Sequence, residues 1–260
     1  MLKFIDRLND YFLCAVQLGP DAKSKCSIFW KETKNFRARL GLAKYHPDKI
    51  YCLQTTYGPL HFRDNLGDIT NLTNLLYRQV YRVKAVPHEG VLLDIGANIG
   101  MAAVWFRYHN PGKAIYCFEP LPQNAAMIKL NCPDVILETI AVGRRREQIT
   151  LRVDCDHMMA SQIPYPRGTQ EMYFQVVSLD EIAESKQLDQ IALIKIDVEG
   201  MEVDILKGAR KTLKRTYQVV AETHSKSLHA EAIDALRVAG FRIDWERFDG
   251  ITGLLLASRS

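Results

Sequence analysis

The chain contains no apolar run near the ~20 residues that a membrane-spanning helix needs, so a transmembrane helix is not its organising element. It also has no C-x-x-C pair and no Cys/His spacing that suggests zinc; the six cysteines, at 14, 26, 52, 117, 132 and 155, stand apart. Reduced thiols in a cytoplasmic protein are the simplest expectation. Asp6, Arg7 and Asp10 interrupt the charge pattern of a signal peptide near the N-terminus. No charge dominates: 34 Lys and Arg face 30 Asp and Glu, a formal net charge of +4. A dedicated nucleic-acid binder would show a stronger, clustered basic excess. The clusters at Arg144, Arg145 and Arg146 and from Lys207 to Arg215 read as solvated faces. Internal repeats, low-complexity segments and the G-x-G-x-x-G dinucleotide fingerprint are absent as well.

What is present centres on residues 91–100, VLLDIGANIG. Val91 to Asp94 read as a short buried strand, Gly96 to Gly100 as a tight loop, and Met101 to Phe106 as the start of a dense apolar helix. Such a strand–loop–helix turn aims backbone N–H groups and a positive helix end at a ligand. Around it the pattern alternates. Strand-like runs at 114–118, 135–142, 191–196 and 219–221 are separated by helical ones, and 241–245 and 251–257 close the chain as two strands joined at Asp249-Gly250. This predicts an α/β, Rossmann-like fold: a mostly parallel sheet with helices on both faces and an antiparallel final pair.

Residues 1–85 form an N-terminal extension ahead of a domain spanning 86–260. Ile5, Leu8, Phe12 and Ala15 share a helical face that ends at Gly19-Pro20, and a second helix holds Trp30 and Phe36. A hairpin turns at Tyr57-Gly58-Pro59, and a helix is expected over 68–81, capped by Asp68 or Thr70. Two β-type runs, 149–153 and 173–177, flank the polar stretch DCDHMMASQIPYPRGTQEMY (154–173), which is expected to form a substrate-facing lid. Asp154, Asp156 and His157 in it read as ordinary loop polarity, and no metal site is expected.

The strand at 114–118 ends in Glu119-Pro120, about 25 residues past the first strand, where a Rossmann-type acid binds ribose hydroxyls. An ionised carboxylate can accept two hydrogen bonds from a vicinal diol. Asp94, two residues before Gly96, would repel a pyrophosphate and suit a ligand with an amino group and a sulfonium. That favours S-adenosylmethionine over a dinucleotide.

Taken together, VLLDIGANIG, CFEP, IAVG, VVSLDEI and LIKIDVEGMEVDILKGA resemble the FkbM family of S-adenosylmethionine-dependent methyltransferases over residues 90–245. The resemblance implies a class I methyltransferase with seven strands in order 3-2-1-4-5-7-6, strand 7 antiparallel, and transfer to a hydroxyl of a sugar, glycan or natural product. Carried over, Asp94, Gly96, Ala97, Asn98 and Gly100 hold the methionine part, and Glu119 the ribose with Pro120 and Asn124 beside it. Ala141 and Val142 neighbour the adenine. Asp197, Glu199 and Gly200 face the transferable methyl, and Glu222-Thr223-His224 ends the fifth strand on the same edge. Alcohol methylation benefits from a general base; His224 or Glu199 is expected in that role, with Asp197 as an anchor. The alternatives are a protein or nucleic-acid methyltransferase on the same fold, or a non-catalytic or NAD-binding Rossmann domain. A base N-methyltransferase would typically carry N/D-P-P-Y/F where this chain has Asp197-Val198-Glu199-Gly200. The expected partner is a small-molecule or glycan acceptor.

Overall fold

The computed structural model describes residues 2–81, 83, 86, 89–154, 159–161 and 169–259. The chain opens with helices α1 (Leu2–Leu18) and α2 (Ala22–Arg39) and the hairpin β1 (His46–Thr55) and β2 (Gly58–Asp64). Helix α3 (Leu66–Asn71) and a π-helical turn (Leu72–Tyr77) follow. The remainder alternates: β3 (Val91–Ile95), α4 (Met101–His109), β4 (Ile115–Phe118), α5 (Pro122–Asn131), β5 (Ile136–Glu138), β6 (Ala141–Gly143), β7 (Glu147–Asp154), β8 (Met159–Ser161), β9 (Thr169–Ser178), α6 (Leu179–Ser185) and β10 (Ile191–Ile196). It closes with α7 (Glu202–Lys207), α8 (Arg210–Leu213), β11 (Thr216–Thr223), α9 (Lys226–Val238), β12 (Arg242–Phe248) and β13 (Gly253–Ser258).

Seven strands form the main sheet in order β12-β13-β11-β10-β3-β4-β5, and β13 alone runs antiparallel to its neighbours. Counted along the domain this is the expected 3-2-1-4-5-7-6 order. Alternate side chains of each strand leave on opposite faces, and here both faces are apolar because helices cover both. Leu92 and Leu193 join a core with α4 and the N-terminal elements, whereas Leu93 and Ile194 join one with α6, α7 and α9. The N-terminal helices and hairpin therefore share a hydrophobic cluster with α4, through Cys14, Leu18, Ile28 and Phe62.

Three local expectations need correction. The run 135–142 is two strands in two sheets: β5 pairs with β4, and β6 pairs in parallel with β9. An apolar run carries no information about which neighbour takes its hydrogen bonds. The β-type runs around the polar stretch are longer than expected and make an antiparallel ladder, β7 with β9, in a second sheet of order β6-β9-β7-β8. Residues 155–158 and 162–168 of the expected lid, Asp156 and His157 among them, lie outside the described residues. The helix expected over 68–81 ends at Asn71, with a π-helical turn beyond it, and its cap is Asn65, whose side chain accepts from Asp68 N at 2.8 Å. Asp68 is committed elsewhere, to an ion pair with Arg63 at 2.8 Å.

Packing of the extension also buries an acid on α2. Glu32 of α2 is 2% exposed and accepts from the Thr73 hydroxyl. Burial pushes its carboxyl up to about 7, against the Thr73 bond and the Arg78 and Arg39 charges that lower it. A carboxyl raised this way binds a proton more tightly folded than unfolded, so stability is full below its unfolded pKa and falls as pH rises through about 7. Glu32→Gln is expected to stabilise the protein above pH 8, by roughly 3 kcal/mol at most, and to change little at pH 4. Thermal unfolding of both proteins at the two pH values checks this; equal shifts at both would rule it out.

Candidate active site

The C-terminal ends of β3, β4, β10 and β11 open on a cavity of about 480 Å³. It lies where the strand order reverses around β3, the crevice in which doubly wound sheets bind ligands. The loop after β3 is tied to the next strand: Gly96 N and Ala97 N donate to Phe118 O at 3.0 and 3.1 Å. Gly96 has φ +74° and a Cβ there would stand 1.8 Å from the carbonyl oxygen of Asp197, so only glycine lets β3 and β10 end side by side. Gly100, also left-handed at φ +85°, starts α4.

Glu119 forms one wall. Its carboxylate is 5% exposed and accepts from Asn98 N at 2.8 Å, Leu121 N at 3.1 Å and Asn124 Nδ2 at 3.2 Å. Burial pushes its pKa up to about 7, opposed by those backbone bonds. Asn124 Oδ1 in turn accepts from Arg63 Nη2 at 2.8 Å, so the hairpin and α3 brace the acid from behind. Beside Glu119 the cavity is apolar, with Phe118, Ile140, Ala141, Val142, Leu151 and Met201.

The opposite wall is acidic. Asp197, Glu199, Glu222 and His224 line it. Asp197 Oδ2 accepts from the buried Tyr81 hydroxyl at 2.9 Å. His224 Nε2 stands 3.8 Å from Asp197 Oδ1 and 3.5 Å from Glu199 Oε2, and His224 Nδ1 is 2.7 Å from Oε1 of fully buried Glu202. Burial lowers the imidazole pKa, but the Glu202 bond and the Asp197 and Glu199 charges outweigh it and push His224 up to about 10. Glu222 is pushed up to about 8, by burial first and the Asp197 charge second.

The structure thus brings Gly96, Ala97, Asn98, Glu119, Pro120, Asn124, Ala141, Val142, Asp197, Glu199 and His224 to one cavity. Asp94 and Gly100 do not line it. Asp94 is fully buried beneath the loop, in an ion pair with Lys195 Nζ at 3.0 Å. Its charge is paired inside the protein. The carboxylates around His224 favour its protonated form, which works against the expected role as a general base. Lys195, Glu202 and Tyr81 were not singled out from the sequence, whereas Glu222 was placed at the end of the fifth strand without a role. Lys195 had a signal, as the one charge within the apolar strand IALIKI. Tyr81 had none, because its partner Asp197 is 116 residues away.

Residues 94–243 match the family model described as the methyltransferase FkbM domain. The chain is similar to the 31-O-demethyl-FK506 methyltransferase FkbM of Streptomyces tacrolimicus, at 28% identity over 75% of this chain and 90% of that protein. It is similar to the 2-O-methyltransferase NoeI of Sinorhizobium fredii, at 26% identity over 59% of this chain and 71% of that one. The hexuronic acid methyltransferase AglP of Haloferax volcanii is 25% identical over 53% of this chain and 57% of its own.

Proposed function

Since the chain belongs to the FkbM methyltransferase family, we propose that it uses S-adenosylmethionine to methylate a hydroxyl oxygen of a sugar or other hydroxylated natural product. The observation that carries the cofactor assignment is Glu119, a buried acid on the cavity wall at the end of β4, cross-linked to the loop after β3. The donor set fits the cofactor's chemistry: an apolar slot for a flat base, a carboxylate for a diol, and an acidic wall for positive charge. When bound, S-adenosylmethionine supplies an electrophilic methyl carbon on a cationic sulfur.

The residues then divide the work. Glu119 accepts from the ribose hydroxyls, with Pro120 and Asn124 beside it. Phe118, Ile140, Ala141 and Val142 enclose the adenine, and the backbone of Gly96, Ala97 and Asn98 meets the methionine part. Asp197, held by Tyr81, and Glu199 orient the acceptor at the acidic wall. Glu199, Glu222 and His224, all on the cavity wall at strand ends, are the groups placed to take the hydroxyl proton. The lining also carries polar side chains suited to a polyhydroxylated acceptor: Asn71, Asn74 and Arg78 from the extension, and Arg247, Asp249 and Thr252. Two relatives whose names specify O-methylation, and one named for hexuronic acid, support the acceptor class.

Calorimetric titration tests the assignment. S-adenosylhomocysteine is expected to bind one to one and NAD not at all; binding of NAD alone would overturn the cofactor reading. Mass spectrometry after incubation with S-adenosylmethionine and a panel of glycosides, uronic acids and macrolide alcohols should show a gain of one methyl on oxygen. Methylation of RNA or protein with no such product would move the acceptor to the alternative class.

A further inference from the structure

We propose that Asp197, Glu199 and His224 form a binding site for one divalent metal cation of the Mn2+ type at the acidic end of the cavity. Among the described residues these three bring one ligand atom each to within 4.8 Å of one another. Ligand atoms about 2.1 Å from a shared cation lie about 3.0–3.4 Å apart at right-angled to tetrahedral geometry. The observed 3.5 and 3.8 Å from His224 Nε2 to Glu199 Oε2 and Asp197 Oδ1 need only a small contraction.

What separates this group from a chance acidic cluster is its outer shell. A metal-binding histidine characteristically gives its second ring nitrogen to a carboxylate, which fixes the ring and aims the other nitrogen at the ion. His224 has that arrangement: Nδ1 meets Glu202 Oε1 at 2.7 Å, while Nε2 points between the two acids. Glu202 is fully buried, its Oε1 also accepts from Gly200 N at 2.9 Å, and its Oε2 has no hydrogen-bond partner. Asp197 is supported in the same way, with Oδ2 engaged by Tyr81 and Oδ1 left towards His224. Two carboxylates with one imidazole match a cation that takes both hard oxygen and nitrogen donors. This revises the expectation of no metal, which rested on the separate group Asp154, Asp156 and His157.

Three protein ligands leave coordination positions open to the cavity, where an acceptor oxygen can enter; this role, unlike the site, rests on the methyl-transfer reading. Binding is measured on the full chain, stripped with chelator and titrated with MnCl2, by loss of the free-ion electron paramagnetic resonance signal. One Mn2+ per chain is expected. Asp197→Asn, Glu199→Gln and His224→Ala should each weaken binding at least tenfold. Glu202→Gln should weaken it by about 10–100-fold without displacing a ligand, with the thermal midpoint confirming a folded protein. Glu199 is only partly buried, so Glu199→Gln keeps the test open should another variant fail to fold. No saturable uptake, or uptake unchanged in Glu199→Gln and Asp197→Asn, would overturn the site. Mn2+ binding without S-adenosylhomocysteine binding would sink the cofactor reading and leave the metal site standing, and the reverse result would do the opposite.

Discussion

Lys195→Met is expected to lower folding stability by about 3–5 kcal/mol, the cost of leaving a buried charge without its partner. Lys195 is 2% exposed and Asp94 is fully buried, with Nζ and Oδ1 3.0 Å apart. The ammonium has three donors, and it also gives a hydrogen bond to Gly96 O at 2.6 Å. Burial pulls the Lys195 pKa down, but the Asp94 and Asp197 charges outweigh it, so the group stays charged. Methionine keeps most of the side-chain volume, which limits any cavity effect and isolates the charge. Asp94 would then sit in the core with no countercharge, and the loop carbonyl of Gly96 would lose its donor. Denaturant unfolding should show a lower midpoint with an unchanged slope. The double variant Lys195→Met with Asp94→Asn should recover much of the loss, because it removes the orphaned charge. A loss below 1 kcal/mol in the single variant, or no recovery in the double one, would show that the pair is not what holds this loop.

Glu119→Ala should weaken S-adenosylhomocysteine binding by about 100-fold, the equivalent of two hydrogen bonds to a charged acceptor. Part of the effect comes from the protein itself: Asn98 N and Leu121 N lose their acceptor, so the loop after β3 is no longer anchored. Glu119→Gln keeps the shape and one acceptor and should cost about tenfold. A pH signature distinguishes the ribose role from mere bracing. With a pKa near 7, Glu119 carries a proton below that pH and accepts poorly from a diol; above it, both oxygens accept. Affinity should therefore rise from pH 6 to pH 8 in the wild type and stay flat over that range in Glu119→Gln. If the variant keeps the slope, another group is titrating.

Much of this molecule is written in short stretches. The turn after β3, the acid at the end of β4 and the acidic end of β10 follow from spacing alone. A strand, a glycine loop and a helix must succeed one another to point backbone donors at a ligand, and the acids mark strand ends. The sheet order followed from the family resemblance, and the antiparallel last pair from the short turn at Asp249-Gly250. Those are local facts, set by chain geometry over a few residues.

The charge state of the site is a different matter. Nothing near Asp94 in the sequence says that Lys195, 101 residues on, will pair with it, nor that Glu202 will meet the His224 imidazole. The run 135–142 was read as a single strand for the same reason, since an apolar strand pairs with whichever edge the fold presents. The sequence by itself determined where the ligand-facing strand ends are and which residue types they carry. The tertiary structure alone decided which of those groups meet, because burial and pairing within a few ångströms set a proton's affinity, and those depend on segments that only folding brings together.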